Sequence, residues 1–420
     1  MSIRFTPEMR STRTILAPDI FPTHLKLVRE IFALHGYHLV TLRDEGKHIL
    51  DTALKYVHND ICYPAICTIG QQLYALTSGE WDPDKVALLQ FQTGGGCRAS
   101  NYVMLLKKAL ESMGLADRVP VISLNFLGMD DNPGFKITLS MIVEAFRSFV
   151  YGDMLMLLKN QTLPYETVPG SAEKLCDLWA QRLTEQFRLH KGLTFAALKK
   201  NLSAIAADFH ALAQDRSRKK TKVGIVGEIY VKYSSFGNNG LEKTLQQLDC
   251  ETMVPGALGF FQYCLANAES NHLYYGGNPI KPAVSMKALH VTEHWEEAMA
   301  EALRPYPEFV TPPSFPRVRE LAEKVIDPGV KMGEGWLLAG ETAALIESGY
   351  ENIVCAQPFG CLPNHIVGKG TVRRLRELYP KANIFPIDYD AGASKVNQEN
   401  RIRLMLAIAG ENEANENDRP

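Results

Sequence analysis

Neither G-x-G-x-x-G nor G-x-x-x-x-G-K-[ST] occurs in the sequence, which removes the ordinary signatures of dinucleotide and nucleoside-triphosphate binding. Paired C-x-x-C knuckles are also missing, so a zinc site of the usual closed kind is not expected. There is no unbroken apolar run of transmembrane length, and the opening MSIRFTPEMRSTRTILAPDI has no apolar h-region and no small-residue cleavage site. The expected location is therefore the cytoplasm, without a membrane partner. Neither sign of charge is in excess: the net charge is −2, which gives no electrostatic reason to expect nucleic acid. The basic run RSRKKTK, Arg216 to Lys222, is short and reads as a solvated linker. No repeat of solenoid length is present.

Eight cysteines are present, and in a reducing compartment they are not expected to be disulfides. Their settings divide them. In FQTGGGCRASNY, Phe91 to Tyr102, an apolar strand runs into Gly94, Gly95 and Gly96, then Cys97, then the polar opening of a helix. Glycines at such a turn let backbone N–H groups point at one anionic object, and Cys97 adds a thiolate at the same spot. Cys62 in HNDICYPA has a similar setting, as do Cys355 and Cys361 in NIVCAQPFGCLPNHIVGKG. In a parallel sheet, loops at the carboxyl ends of strands meet at one crevice, which predicts that Cys97 and Cys361 come together and that Cys62 joins them from a loop before a helix. Cys355 lies inside the predicted strand and Cys361 beyond its end. Three thiolates with an open fourth position suit an iron–sulfur cluster. The alternatives are a phosphate-cradling glycine loop and cysteines that merely pack. Cys176, Cys250 and Cys264, in apolar or amphipathic surroundings, read as buried, inert thiols.

Other polar residues have double readings. Arg98, Ser100 and Asn101 open a helix whose N-terminus favours an anion, although Ser100 or Asn101 also serves as a cap. Asn364 and His365 follow Cys361, where a histidine reads equally as proton donor or structural group. His58, Asn59 and Asp60 read first as loop caps. Glu228, Tyr233, Ser234 and Asn238 sit at the end of a predicted strand, and Lys331 to Trp336 (KMGEGW) form a turn near the later strands.

The 420 residues exceed one ordinary core. Strands are predicted at Thr14 to Pro18, His38 to Leu42, Val86 to Gln92 and Val119 to Asn125, alternating with helices, so residues 1–136 read as an α/β domain with a mostly parallel sheet. Residues 137–220 carry wide apolar stripes at helical spacing and read as a helical insert and linker. Residues 221–410 return to the α/β pattern, with strands at Lys222 to Val231, Asn352 to Gln357 and Asn383 to Asp388. The prolines of PYPEFVTPPSFPRV predict a surface connection, a final helix is predicted over Val396 to Ala409, and 411–420 reads as a disordered acidic tail. The fold class expected is α/β, with two Rossmann-like parallel-sheet domains joined by a helical segment.

The segments YVHNDICYPA, QTGGGCRASNY, YGDMLMLLKNQTLPYE, GEIYVKYSSFGNNGLE, KMGEGWLL, QPFGCLPNHIVGKG and IDYDAGASKVNQENRI give the chain a specific resemblance. It resembles the superfamily of 2-hydroxyacyl-CoA dehydratases and double-cubane-cluster reductases, and most closely the carboxy-terminal region of large acyl-CoA dehydratase activase (CoA-protein activase) proteins. The resemblance implies a dehydratase-subunit-like fold and an oxygen-sensitive iron–sulfur cluster, [4Fe-4S] or double-cubane. It also implies low-potential electrons supplied by a separate actin-like ATPase activase, and a small-molecule or acyl-CoA substrate that is dehydrated or reduced. Carried onto this chain, the ligands would be Cys62, Cys97 and Cys361, with Cys355 or Cys67 in reserve. The ATPase motifs that precede this region in the large relatives are missing here. A homodimer or heterodimer is compatible with that picture, as is a non-catalytic module that docks an activase and relays electrons, or a metal-free nucleotide-binding protein.

Overall fold

A continuous apolar strand can be covered only by helices on both its faces, and two sets of four such strands organise the chain. The computed structural model describes residues 3–92, 96–124 and 132–417. The first sheet contains β1 (Thr14–Pro18), β2 (His38–Leu42), β3 (Val86–Phe91) and β4 (Val121–Leu124), in the order β2-β1-β3-β4. The second contains β5 (Thr221–Gly227), β6 (Cys250–Met253), β7 (Asn352–Pro358) and β8 (Asn383–Tyr389), in the order β6-β5-β7-β8. Every pairing is parallel. The two lobes are therefore topological copies, each Rossmann-like, and each has its switch point between its first and third strands.

Helices Leu139–Thr162, Ser171–Arg188 and Phe195–His210 separate the sheets. The first is the shared rod. Its buried Asp153 receives the His24 Nε2–H at 2.7 Å from the first lobe, and the Ala257 and Leu258 N–H groups at 2.6 and 3.1 Å from the second. One carboxylate thus ties both lobes to the rod, and it also satisfies the amino end of helix Ala257–Tyr275.

Several boundaries differ from expectation for local reasons. β5 stops at Gly227, where φ is +144° and an added Cβ would lie 2.1 Å from the Ala356 carbonyl oxygen. Glu228 then caps helix Ile229–Tyr233 by accepting the Val231 N–H at 2.9 Å. The proline-rich connection contains helix Phe315–Glu323, with proline in its first turn, where the missing N–H is harmless. The stretch from 271 to 327 is dominated by the end of helix Ala257–Tyr275 and by helix Ile280–Leu303. The last helix, Lys395–Asn417, continues through most of the predicted disordered tail, and the remainder of that tail lies outside the described residues. Among the described residues, no helix is long and apolar enough to cross a membrane.

Candidate functional site

Cys62, Cys97 and Cys361 line one cavity of about 400 Å³ between the lobes. Each stands immediately before a turn of helix. Cys62 is the N-cap of helix Tyr63–Thr77, Cys97 caps the short turn Arg98–Asn101, and Cys361 precedes the wide turn Asn364–Gly368. The sulfurs face the backbone N–H groups of Ala65, of Ala99 and Arg98, and of Asn364, respectively. Donors of this kind favour a thiolate over a thiol.

The three loops lock together across the lobes. The Tyr63 N–H donates to the Phe359 carbonyl at 3.0 Å, and Arg98 Nη1 donates to the Asp60 carbonyl at 2.7 Å. Gly360, at φ +73°, lies against both partners: a Cβ there would meet Arg98 Nη1 at 2.8 Å and the Cys62 Cα at 3.1 Å. Only glycine fits this left-handed, crowded position. Two of the sulfurs also have side-chain partners. Tyr102 Oη and Cys62 Sγ share a hydrogen bond of 2.7 Å, and Asn364 Nδ2 donates to Cys361 Sγ at 3.3 Å.

Around the sulfurs, acids outnumber cations. Glu228 and Glu334 line the same cavity, and the Glu334 carboxylate accepts the Ile229 N–H at 3.2 Å. Burial, followed by mutual repulsion, raises the pKa of Glu228; burial raises that of Glu334 as well. Burial pushes the Cys62 thiol up to about 12 and Cys97 to about 11, and it raises Cys361, with Glu334 and Glu228 adding to the effect. Lys232 is committed elsewhere, to Glu341 at 2.9 Å in a fully buried pair. A cationic group placed among these thiols and carboxyls would act against these shifts by favouring the charged forms.

Of the residues predicted from sequence, Arg98 lines the cavity beside the three cysteines. Gly96 lies against Met332, whose Sδ would be 2.8 Å from an added Cβ, while Gly94 and Gly95 lie outside the described residues. Asn364 is buried behind Cys361, with its Nδ2 on that sulfur and its carbonyl holding Gln357 Nε2 at 2.9 Å. Ser100 donates to the Cys97 carbonyl at 2.7 Å, and Asn101 is exposed without a side-chain cap bond. His365 is half-buried, and neither it, Ser100 nor Asn101 is among the lining residues. Cys355 is inside β7 and packs against Gly368, away from the cavity, and Cys67 is buried mid-helix. Cys264 departs from its reading as a buried core thiol. Helix Ala257–Tyr275 presents it to the open space of the cavity, and the surrounding protein pushes its thiol up to about 12. An isolated cysteine in an apolar helix has no local signal for this, because the wall it faces comes from the other lobe.

No protein-family model matches the chain, and no curated protein matches it. The resemblance therefore rests on the motifs themselves. Whether the residues fit the cluster it implies can be judged from the donors. Among the described residues, no group of three or more His, Cys, Asp or Glu side chains is arranged to hold a metal ion. A single ion needs all its donors around one point, with zinc–sulfur bonds of about 2.3 Å. A polynuclear cluster takes each thiolate on a different iron, so its ligands surround a volume. Three thiols on the wall of one cavity, each beside backbone donors, supply the kind of donor the second case uses.

Proposed function

We propose that the chain is the iron–sulfur component of a reductase or dehydratase system, with Cys62, Cys97 and Cys361 as cluster ligands. The observation that carries this reading is that the three predicted thiols, separated by up to 299 positions in sequence, line one cavity at three helix starts. When bound, such a cluster supplies low-potential one-electron chemistry. The residues of the chain hold and shield it. The N–H groups of Ala65, Ala99 and Asn364 stabilise thiolate charge, Tyr102 and Asn364 direct hydrogen bonds at two of the sulfurs, and the loops at Phe359 and Gly360 close the lobes over the site. Arg98 lies at the same wall, positioned to offset negative charge on a bound group. On this reading the protein works in the cytoplasm, takes electrons from a separate ATP-dependent activase, and acts on a small substrate.

Anaerobic reconstitution with iron and sulfide tests the proposal. A brown protein with acid-labile sulfide and about four irons per cluster is expected. A colourless product that retains no iron after desalting refutes it.

A further inference from the structure

Away from the three cysteines, the cavity is a chamber whose described wall is almost entirely hydrocarbon. Helix Pro22–Leu34 and the residue before it contribute Phe21, Leu25, Val28 and Phe32, spaced as one face of a helix. The shared rod contributes Met141, Ile142, Ala145, Phe146 and Phe149, and the second lobe closes the space with Phe260 and Phe261. From Phe21 to Phe32 this face extends about 16 Å.

The polar atoms on the wall support an apolar ligand. Thr68 donates to the Pro64 carbonyl at 2.9 Å, and Gln90 donates to Gln72 at 3.1 Å while accepting the Phe91 N–H at 2.9 Å. Gln92 donates to the Ser100 carbonyl at 2.7 Å and accepts the Ser123 hydroxyl at 2.8 Å. Each of these groups is satisfied by the protein itself, which leaves the Tyr230 hydroxyl as the buried side-chain polar atom of the described wall without a hydrogen-bond partner, so most of the chamber favours a molecule with few hydrogen-bonding groups along it. Arg98 adjoins Cys97 in the chain, and Glu228 and Glu334 are close enough to Cys97 and Cys361 to act on them electrostatically.

We infer that the chamber binds a long aliphatic chain, as in a fatty acid or another lipid tail, with its functional group directed at the three thiols. That the chain is a substrate rests on the proposed cluster. That the chamber binds it does not.

Straight-chain carboxylates from hexanoate to hexadecanoate, titrated by calorimetry into the full-length protein without added iron, provide the test. Affinity is expected to rise about fourfold per methylene and to level off once the chain spans about 16 Å. Ala145→Trp and Val28→Phe, on two neighbouring helices that both line the chamber, should each weaken dodecanoate binding at least tenfold. Val284→Trp, on the exposed face of helix Ile280–Leu303, should leave it unchanged. A flat dependence on chain length, or equal effects of all three substitutions, overturns the inference. The iron measurement separates this result from the preceding proposal. A protein that binds dodecanoate but never holds iron keeps the chamber and loses the cluster, whereas one that holds iron without chain-length dependence does the reverse.

Discussion

The two lobes share a strand order but differ in what they place at the crevice. Each sends a cysteine from the loop after its third strand, Cys97 after β3 and Cys361 after β7. After its first strand, however, β1 leads to the apolar Ile20 and Phe21, whereas β5 leads to the carboxyl of Glu228. Both lobes bury carboxyls, Asp19 and Glu30 in the first and Glu251, Glu334 and Glu341 in the second, but among the described residues only the second turns carboxyls, Glu228 and Glu334, to the cavity. Equivalent topology therefore brings the thiols together, while unequal side chains put the cavity's carboxyls on one side and Arg98 on the other. A duplicated scaffold fixes where groups converge and leaves their chemistry free.

If the lobes contribute equally to holding a cofactor, Cys97→Ser and Cys361→Ser should lose reconstituted iron to the same extent, nearly completely. Cys355→Ser, one loop away in sequence but inside β7, should retain it; iron analysis after desalting is the readout. Unequal loss between Cys97 and Cys361 would break the equivalence, and loss with Cys355→Ser would shift the site into the second lobe.

The next effect tests the acidic character of the second lobe. Lys232→Met leaves Glu341 buried without its partner and should cost about 3–5 kcal/mol in urea unfolding. A cost within the range of surface substitutions would mean that the carboxyl is already neutral in the native protein.

A milder probe of the same lobe is Glu296. Burial pushes its pKa up to about 7, although its carboxylate accepts the Phe315 N–H at 3.0 and 3.1 Å. Since the native pKa lies above the unfolded one, the native state holds the proton more tightly. The associated stability is fully present below about pH 4.5 and declines as pH rises to about 7. Glu296→Gln should therefore be up to about 3 kcal/mol more stable than the parent at pH 8. The difference should vanish near pH 4.5, as seen in thermal melts at the two pH values. A difference independent of pH would assign the effect to packing.

The smallest effect compares the sulfurs themselves. Tyr102→Phe removes the hydroxyl that contacts Cys62 Sγ and should cost about 1 kcal/mol of stability. Iron content should be unchanged, while the reduction potential of the reconstituted protein should fall, because a hydrogen bond to a ligand sulfur stabilises the reduced, more negative state. An unchanged potential, measured by spin-resonance titration, would make Tyr102 a purely structural partner.

Much of this molecule was legible locally. The uninterrupted apolar runs of β3 and β7 mark strands covered on both faces, and the alternation of strand and helix marks parallel sheets. Cys62, Cys97 and Cys361 were recognisable because glycine, proline and asparagine beside a cysteine set it in a turn. The end of β5 was misplaced because Gly227 and Glu228 lie within an apolar run, and only the close approach of Ala356 ends the strand there. Helix Phe315–Glu323 was missed because proline in a first turn and proline in a loop look alike in sequence.

The positions of most strands along the chain, the separation into two α/β lobes and the identity of the turn cysteines follow from the sequence alone, since each is read from residues within a few positions of one another. The meeting of residues 62, 97 and 361, the exposure of Cys264 to a cavity and the hydrocarbon chamber were decided only by tertiary structure. Leu25, Ile142 and Phe261 are indistinguishable along the chain from any core residue. What makes them a wall is the space left between two separately formed lobes, a property of how the lobes dock that no local pattern encodes.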